Sequence, residues 1–346
     1  MVAGQHTLRE ILSQPDVWTE ALTAFDAENS LLQSWLASGA FDHVIITGCG
    51  STYYLALTAA RLLRQAGCHA VACPASELLL HPESICLPGQ RYLLLSVSRS
   101  GTTTETLRAQ EQFKATQAGS IVTITCDSSS PLAQRADVVI AIDAAQEKSV
   151  AQTRSFSSML VAAQQLAALI AGQDIAASRP QPAFCRHLLE RYGDLARSLG
   201  ENGGIQKFFF LGSDALYGIA CEAMLKMKEM SLSYSEAYHT LEFRHGPMSM
   251  VGEDSLVIGL ISPEAARQEH RVLKEMAEMG ATVLAIGQEL GAHQHQVALP
   301  ADLPAWCTPV LYLPVLQLLA YHRAIYKGCD PDQPHQLSAV VSLDDI

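Results

Sequence analysis

The sequence is poor in positive charge and has no basic run. Its 346 residues carry 23 Lys and Arg against 35 Asp and Glu, a formal net charge of −12. A nucleic-acid binder needs a cationic face, so that class is set aside. No apolar run approaches the ~18–20 residues of a membrane span, and the N-terminal MVAGQHTLRE lacks the apolar core of a signal peptide. A cytoplasmic protein with no membrane partner is expected. The nine cysteines are odd in number and scattered. The closest two, Cys68 and Cys73, make no CxxC, and no Cys/His cluster has zinc-ligand spacing. Reduced thiols in a packed core are expected, with no metal and no cofactor. Gly48-Cys49-Gly50-Ser51-Thr52 is not a dinucleotide fingerprint, because Tyr53 stands where its last glycine would be. It also lacks the Gly-Lys-Ser/Thr ending of a P-loop.

What remains is ordinary globular composition, 49% hydrophobic and 17% charged. Residues 1–40 read as two helices, the first interrupted at Pro15. Short apolar runs then alternate with helical stretches. Residues 41–47, 91–97, 120–126 and 137–142 read as strands, with a weaker one at 69–73, and the segment around residues 77–90 reads as loop. Such alternation implies parallel βαβ units and an α/β, doubly wound sheet. Residues 173–182 are Ser/Pro-rich and aperiodic, the best linker. Beyond them the plan repeats: Gly48 and Gly212 are 164 residues apart, and so are Ser98 and Ser262, each pair at equivalent strand ends. Two related domains are expected, residues 1–172 with the N-terminal helices and residues 183–346 with the C-terminal tail.

Only the first repeat is rich in glycine and hydroxyls at both strand ends. Ser98-Arg99-Ser100-Gly101-Thr102-Thr103-Thr104 follows a strand and enters a helix, where free N–H groups and the helix dipole favour an anion. Gly50, Ser51 and Thr52 form the natural second wall of a phosphate site. In the second repeat, the helix after Gly212 carries Glu222, Lys226 and Glu229 on one polar stripe. A loop with Glu236 and Glu242 follows, ending in the turn Arg244-His245-Gly246-Pro247. Glu229 and His245 are the candidate acid/base pair. Lys226 is either the ion-pair partner of Glu229 or a substrate contact. His293 and His295, in a Gln/His-rich loop, read as surface residues.

GCGST, SVSRSGTTTET, VAQTRSF, EAMLKMKEMS, EAYHTLEFRHGP, LPVLQLLAYHRAIYKG and DPDQPHQL occur in this order. With the two-repeat plan they resemble the sugar isomerase (SIS) family, whose domains are flavodoxin-like, over residues 20–345. Within it the chain is similar to the isomerase half of glucosamine-6-phosphate synthase. The resemblance implies that the Ser98, Arg99, Ser100 and Thr103 loop, with Gly50, Ser51 and Thr52, binds a sugar 6-phosphate. It implies that Val150–Thr153, including Gln152, closes over the sugar, and that Glu229 moves a proton between C1 and C2. His245 would come from the neighbouring subunit of a homodimer or higher oligomer. Arg99 and Gln152 depart from the family pattern, as do some Ser/Thr exchanges. The chain does not begin Met-Cys, so no glutaminase domain, and no glutamine-dependent synthase, is expected. Ala339 stands where the synthase tail has a carbonyl-reactive lysine, and no lysine follows Lys327. The pattern thereby also resembles the deglycases, which split 6-phosphorylated sugar–amino acid adducts whose amine is already in the substrate. A deglycase is the leading expectation. The alternatives are an aldose–ketose isomerase of a sugar phosphate and, from another class, a sugar-phosphate-binding regulator.

Overall fold

A computed structural model describes residues 3–37, 41–116, 119–335 and 337–338. Ala339 lies outside them. The chain forms two compact units that do not follow chain order throughout. Residues 13–147 and 154–182 make one, while residues 1–12, 148–153 and 183–337 make the other.

α1 (Gln5–Leu12) belongs to the second of these units. The first begins with α2 (Gln14–Ala37), one unbroken helix where two segments were expected. Pro15 sits in its opening turn, where the missing N–H costs no hydrogen bond. There follow β1 (His43–Gly48), α3 (Ser51–Gln65), β2 (His69–Pro74), and the short helices α4 (Ala75–Leu80) and α5 (Pro82–Ile85) where a loop was expected. β3 (Tyr92–Ser98), α6 (Thr104–Thr116), β4 (Ser120–Thr125), α7 (Pro131–Gln134), β5 (Val138–Ala141) and α8 (Arg154–Ile170) complete it. The five strands are all parallel, in the order β2-β1-β3-β4-β5. β3 is buried along its whole length, which explains its uninterrupted apolar run: a parallel strand is covered on both faces. α8 packs on α2 and α3, and the Trp18 indole donates to Ser157 Oγ at 2.8 Å.

The second unit runs α9 (Gln181–Gly200), β6 (Lys207–Leu211), α10 (Ala215–Ser231), β7 (Tyr234–Tyr238), β8 (Ser255–Leu260), α11 (Ala266–Glu278), β9 (Thr282–Gly287), β10 (His295–Ala298) and α12 (Leu313–Tyr326). Its sheet, again all parallel, has the order β10-β9-β8-β6-β7. Read from β7, this is the first unit's order, so the repeat seen in the sequence is a repeat of topology. β7 was expected to be loop. It is an edge strand bonded only to β6, and its YSEAY sequence lacks the apolar run that marks the central strands. Among the described residues no helix is long and apolar enough to cross a membrane.

The repeat extends to backbone conformation. Gly50 precedes α3 at φ 55°, ψ −122°, and Asp214 precedes α10 at φ 50°, ψ −121°. Glycine adopts this conformation freely, whereas Asp214, outside the left-handed helical well that Asp tolerates, holds it under strain. A Cβ on Gly48 would lie 2.4 Å from Thr52 Oγ1, and one on Gly212 would lie 2.4 Å from the Leu216 carbonyl oxygen. Both glycines are needed because strand and helix nearly touch.

α1 is fixed by a residue at the far end of the chain. The Asp332 carboxylate accepts from the N–H groups of His6 (3.0 Å) and Thr7 (2.7 Å) and from Thr7 Oγ1 (2.8 Å). It caps the helix start as a local N-cap residue would. Asp332→Ala should lower unfolding stability by about 1–3 kcal/mol, the usual loss for a cap or a charged hydrogen bond. A urea midpoint unchanged from the parent would show that α1 is held by packing alone.

Candidate active site

In the first unit, the loops after β1 and β3 lie where the strand order reverses, the switch point at which open α/β sheets receive ligands. Ser51 and Thr52 are buried at the start of α3. Thr52 Oγ1 is occupied within its own turn, accepting from Cys49 N–H and donating to Cys49 O, both at 2.9 Å. After β3, Ser98 Oγ accepts from Gly101 N–H at 3.1 Å, folding the loop back on itself. Gly101 has φ 60°, and a Cβ there would meet Ser130 Oγ at 2.1 Å. Ser100 and Thr103 are half-buried and Thr102 is exposed, so their hydroxyls line the accessible rim. Arg99 is buried, its Nη1 3.5 Å from the equally buried Glu147 carboxylate, and the rim's accessible donors are therefore hydroxyls and amides.

The second unit fills the equivalent position itself. Glu269, in the first turn of α11, accepts from Ser262 N–H at 2.7 Å and from Ser262 Oγ at 3.1 Å. Burial raises its pKa, and hydrogen bonds from Ser213 and Ser262 counter this. A protein carboxylate thus occupies the strand-end position that the first repeat leaves to its hydroxyl loop.

α10 carries the expected stripe, but most of it is not a solvent face. The helix is buried on nearly all sides, packing on α12, β6 and β7. Glu222 and Lys226 are 0% and 1% exposed, whereas Glu229 is 21% exposed. The Lys226 ammonium lies 3.3 Å from Glu222 and 2.5 Å from Glu229. Burial pulls its pKa down, but the two carboxylates outweigh this and hold the pKa above the usual lysine value. One carboxylate therefore balances the buried cation from inside, and the other reaches solvent.

His245 sits in an exposed turn. Arg244 anchors that turn through Nε to Glu275 of α11 at 2.8 Å, and Phe243 is buried beneath it. Among the described residues no hydrogen bond or ion pair joins His245 to Glu229. Val150 and Gln152 lie in the segment 148–153, which belongs to this unit. Two acidic residues not singled out in the sequence hold that segment. Glu10 accepts from Lys148 N–H at 2.6 Å and from Ser149 Oγ, and the Asp332 carbonyl accepts from Val150 N–H at 3.2 Å. Their positions, near opposite ends of the chain, gave no local signal. Lys327, the last lysine, donates to Leu232 O at 2.9 Å and Ser233 Oγ at 3.2 Å. All nine thiols are free, and burial raises Cys73 and Cys307 to about 12 and Cys221 to about 11, away from the thiolate form.

Two flavodoxin-like parallel sheets, one with an open hydroxyl loop at its switch point and one with a buried charge cluster on its first crossover helix, define a duplicated α/β protein. The chain belongs to the SIS domain family, whose model matches residues 41–169 and 205–322. It is 28% identical over 351 residues to a glutamine–fructose-6-phosphate aminotransferase (isomerizing) of Pyrococcus horikoshii, covering 97% of this chain and 57% of that protein. It thus spans little more than half the length of the curated relatives it matches. Among solved structures, tagatose-6-phosphate ketose/aldose isomerase from Escherichia coli superposes with TM-score 0.88 at 25% identity, over 96% of both chains. Glucosamine-6-phosphate deaminase from Thermotoga maritima does so with TM-score 0.75 at 30% identity, over 94% of this chain and all of the other.

Lys226→Met should destabilise the protein by about 3–5 kcal/mol, because it leaves Glu222 a buried uncompensated charge. Adding Glu222→Gln should recover much of that loss in urea unfolding. Equal stability of the single and double variants would show that the pair is not what holds the buried carboxylate.

Proposed function

We propose that the chain is a phosphosugar enzyme that moves a proton between C1 and C2, and that its reaction is deglycation of a 6-phosphorylated sugar–amino acid adduct. The observation that carries this reading is the α10 cluster. Glu229 is the cluster's solvent-reaching carboxylate, and its neighbour Lys226 is held cationic. The 2.5 Å contact to Lys226 holds this carboxylate in place at the solvent-reaching end of the cluster, where a general base must meet its substrate.

The reaction is assigned as follows. Glu229 takes a proton from C1 of the open-chain ketoamine. The electron pair forms the C1–C2 double bond while His245, as general acid, protonates the C2 oxygen, giving an enaminol. A proton then returns to C2 and leaves a C1 imine; water adds to it and expels the amino acid, freeing a hexose 6-phosphate. No enzyme amine is required, in keeping with Ala339 in the tail and with Lys327 being engaged at the end of α10. The hydroxyl loop of Ser98, Ser100 and Thr103, with Gly50 and Ser51, is assigned the phosphate, and Val150 and Gln152 the sugar. His245, exposed on its turn, is assigned to the site of a second copy, which makes the working form a homodimer.

The relatives' names support proton transfer on sugar phosphates: one isomerises while transferring an amino group, one interconverts ketose and aldose, and one removes an amine. The likeness to the ketose/aldose isomerase favours a second reading, the same proton shift without C–N cleavage.

The purified protein should release glucose 6-phosphate from 6-phosphofructosyl-lysine or its aspartate analogue, followed by a coupled dehydrogenase. Glu229→Gln should lose at least ~10²-fold in kcat, the lower range of acid/base contributions. Interconversion of free ketose and aldose phosphates without amine release would replace deglycation by isomerisation. Near-normal turnover in Glu229→Gln would remove the proton-transfer assignment altogether.

A further inference from the structure

His270 and His293, which no role above uses, meet in the second unit. His270 lies on α11 and His293 in the loop between β9 and β10. His270 Nδ1 and His293 Nε2 are 2.9 Å apart, and the ring centroids are 5.0 Å apart. The geometry points to a divalent-metal site in which these two facing nitrogens bind a borderline cation of the Zn²⁺ or Ni²⁺ kind.

Three observations converge on it. The Glu289 carbonyl oxygen lies 3.0 Å from His270 Nε2. A carbonyl can only accept, so that nitrogen carries a proton, and Nδ1 is the ring's remaining nitrogen, facing His293 Nε2, through which it can ligate a metal. A metal-ligating histidine almost always has such an outer partner on its second nitrogen. Next, two imidazole nitrogens each ~2.0–2.1 Å from one ion, on adjacent coordination positions, are spaced roughly 2.9–3.4 Å apart, close to the separation observed. Finally, the pair lines a cavity of about 300 Å³ with Lys274 and Gln294, ample for water ligands, each of which occupies ~30 Å³ in the liquid.

Imidazole suits zinc, nickel and copper, whereas calcium and magnesium need oxygen ligands. Among the described residues no third His, Cys, Asp or Glu joins the pair, so solvent completes the shell and leaves positions open to exchange. Lys274 opposes a cation only weakly, being 76% exposed and 3.9 Å from Glu278. Nothing local in the chain signals the pair, because the two residues are 23 apart on different elements and match no ligand spacing.

Tag-free, chelator-treated protein should bind one equivalent of Zn²⁺ and of Ni²⁺ per chain by titration calorimetry. His270→Ala and His293→Ala should each weaken binding by at least ~100-fold, beyond the ~10–100-fold typical of losing an outer partner. His187→Ala, a change at an exposed histidine of α9, should not weaken it. A Cu²⁺ complex of the unaltered protein should show coupling to two equivalent imidazole nitrogens by electron paramagnetic resonance, a readout independent of how the variants fold. Absence of binding, binding undiminished in both variants, or a copper spectrum without two imidazole nitrogens would overturn the assignment.

Discussion

A strand that ends at the carboxyl edge of a parallel sheet and re-enters a helix within three residues leaves no room for a side chain at its last position. This constraint acts at the end of β1 and again at the end of β6, and the molecule meets it twice in the same way. Gly48 and Gly212 allow the close approach, and Gly50 and Asp214 take nearly identical positive-φ conformations. The turn delivers the free N–H groups of a helix start to the sheet edge where the strand order reverses. The positions of the phosphate-loop candidates and of α10 follow from that junction.

Having built one junction twice, the chain fills the two differently. Beside the first it places hydroxyls and glycine. Beside the second it places Ser262, whose N–H and hydroxyl are both satisfied by Glu269. An anionic partner is thus part of the fold in the second repeat, while the first presents its donors at an accessible rim. The asymmetry costs little in fold stability, because both arrangements satisfy the same backbone donors. It leaves the two repeats chemically different: the second retains α10, whose buried ammonium lies between Glu222 and Glu229.

How much of this the sequence carried depended on how local each signal was. β1, β3, β4, β6, β8 and β9 were legible because a strand covered on both faces is a continuous apolar run. The 164-residue offset was legible because the junction glycines recur with it. β7 was not, since an edge strand with one neighbour tolerates Glu236 and Ser235. The stripe Glu222–Lys226–Glu229 was readable from helical spacing, but its burial was not. Spacing places residues on one face without saying what covers that face, and here α12, almost a hundred residues later, packs on the helix. The holds on residues 148–153 by Glu10 and Asp332 were hidden for the same reason, as was the meeting of His270 with His293.

The net charge of −12 does not oppose the anionic substrate proposed above, because binding is decided by local chemistry. Long-range attraction from net charge is screened within about 8–10 Å at physiological ionic strength. What holds a phosphate is the set of donors within hydrogen-bond reach. In the loop proposed for the phosphate the available donors are amides and hydroxyls ordered by the loop itself: Ser98 bonds Gly101 N–H, Ser100 bonds Thr102 N–H at 3.2 Å, and α6 begins at Thr104 with its dipole directed at the rim. Arg99, the one cation in the loop, is turned inward to Glu147. A donor set without a free cation binds an anion by geometry more than by charge, and so discriminates by shape. The proposed reading, one phosphorylated sugar adduct chosen among other phosphates, asks for discrimination of that kind.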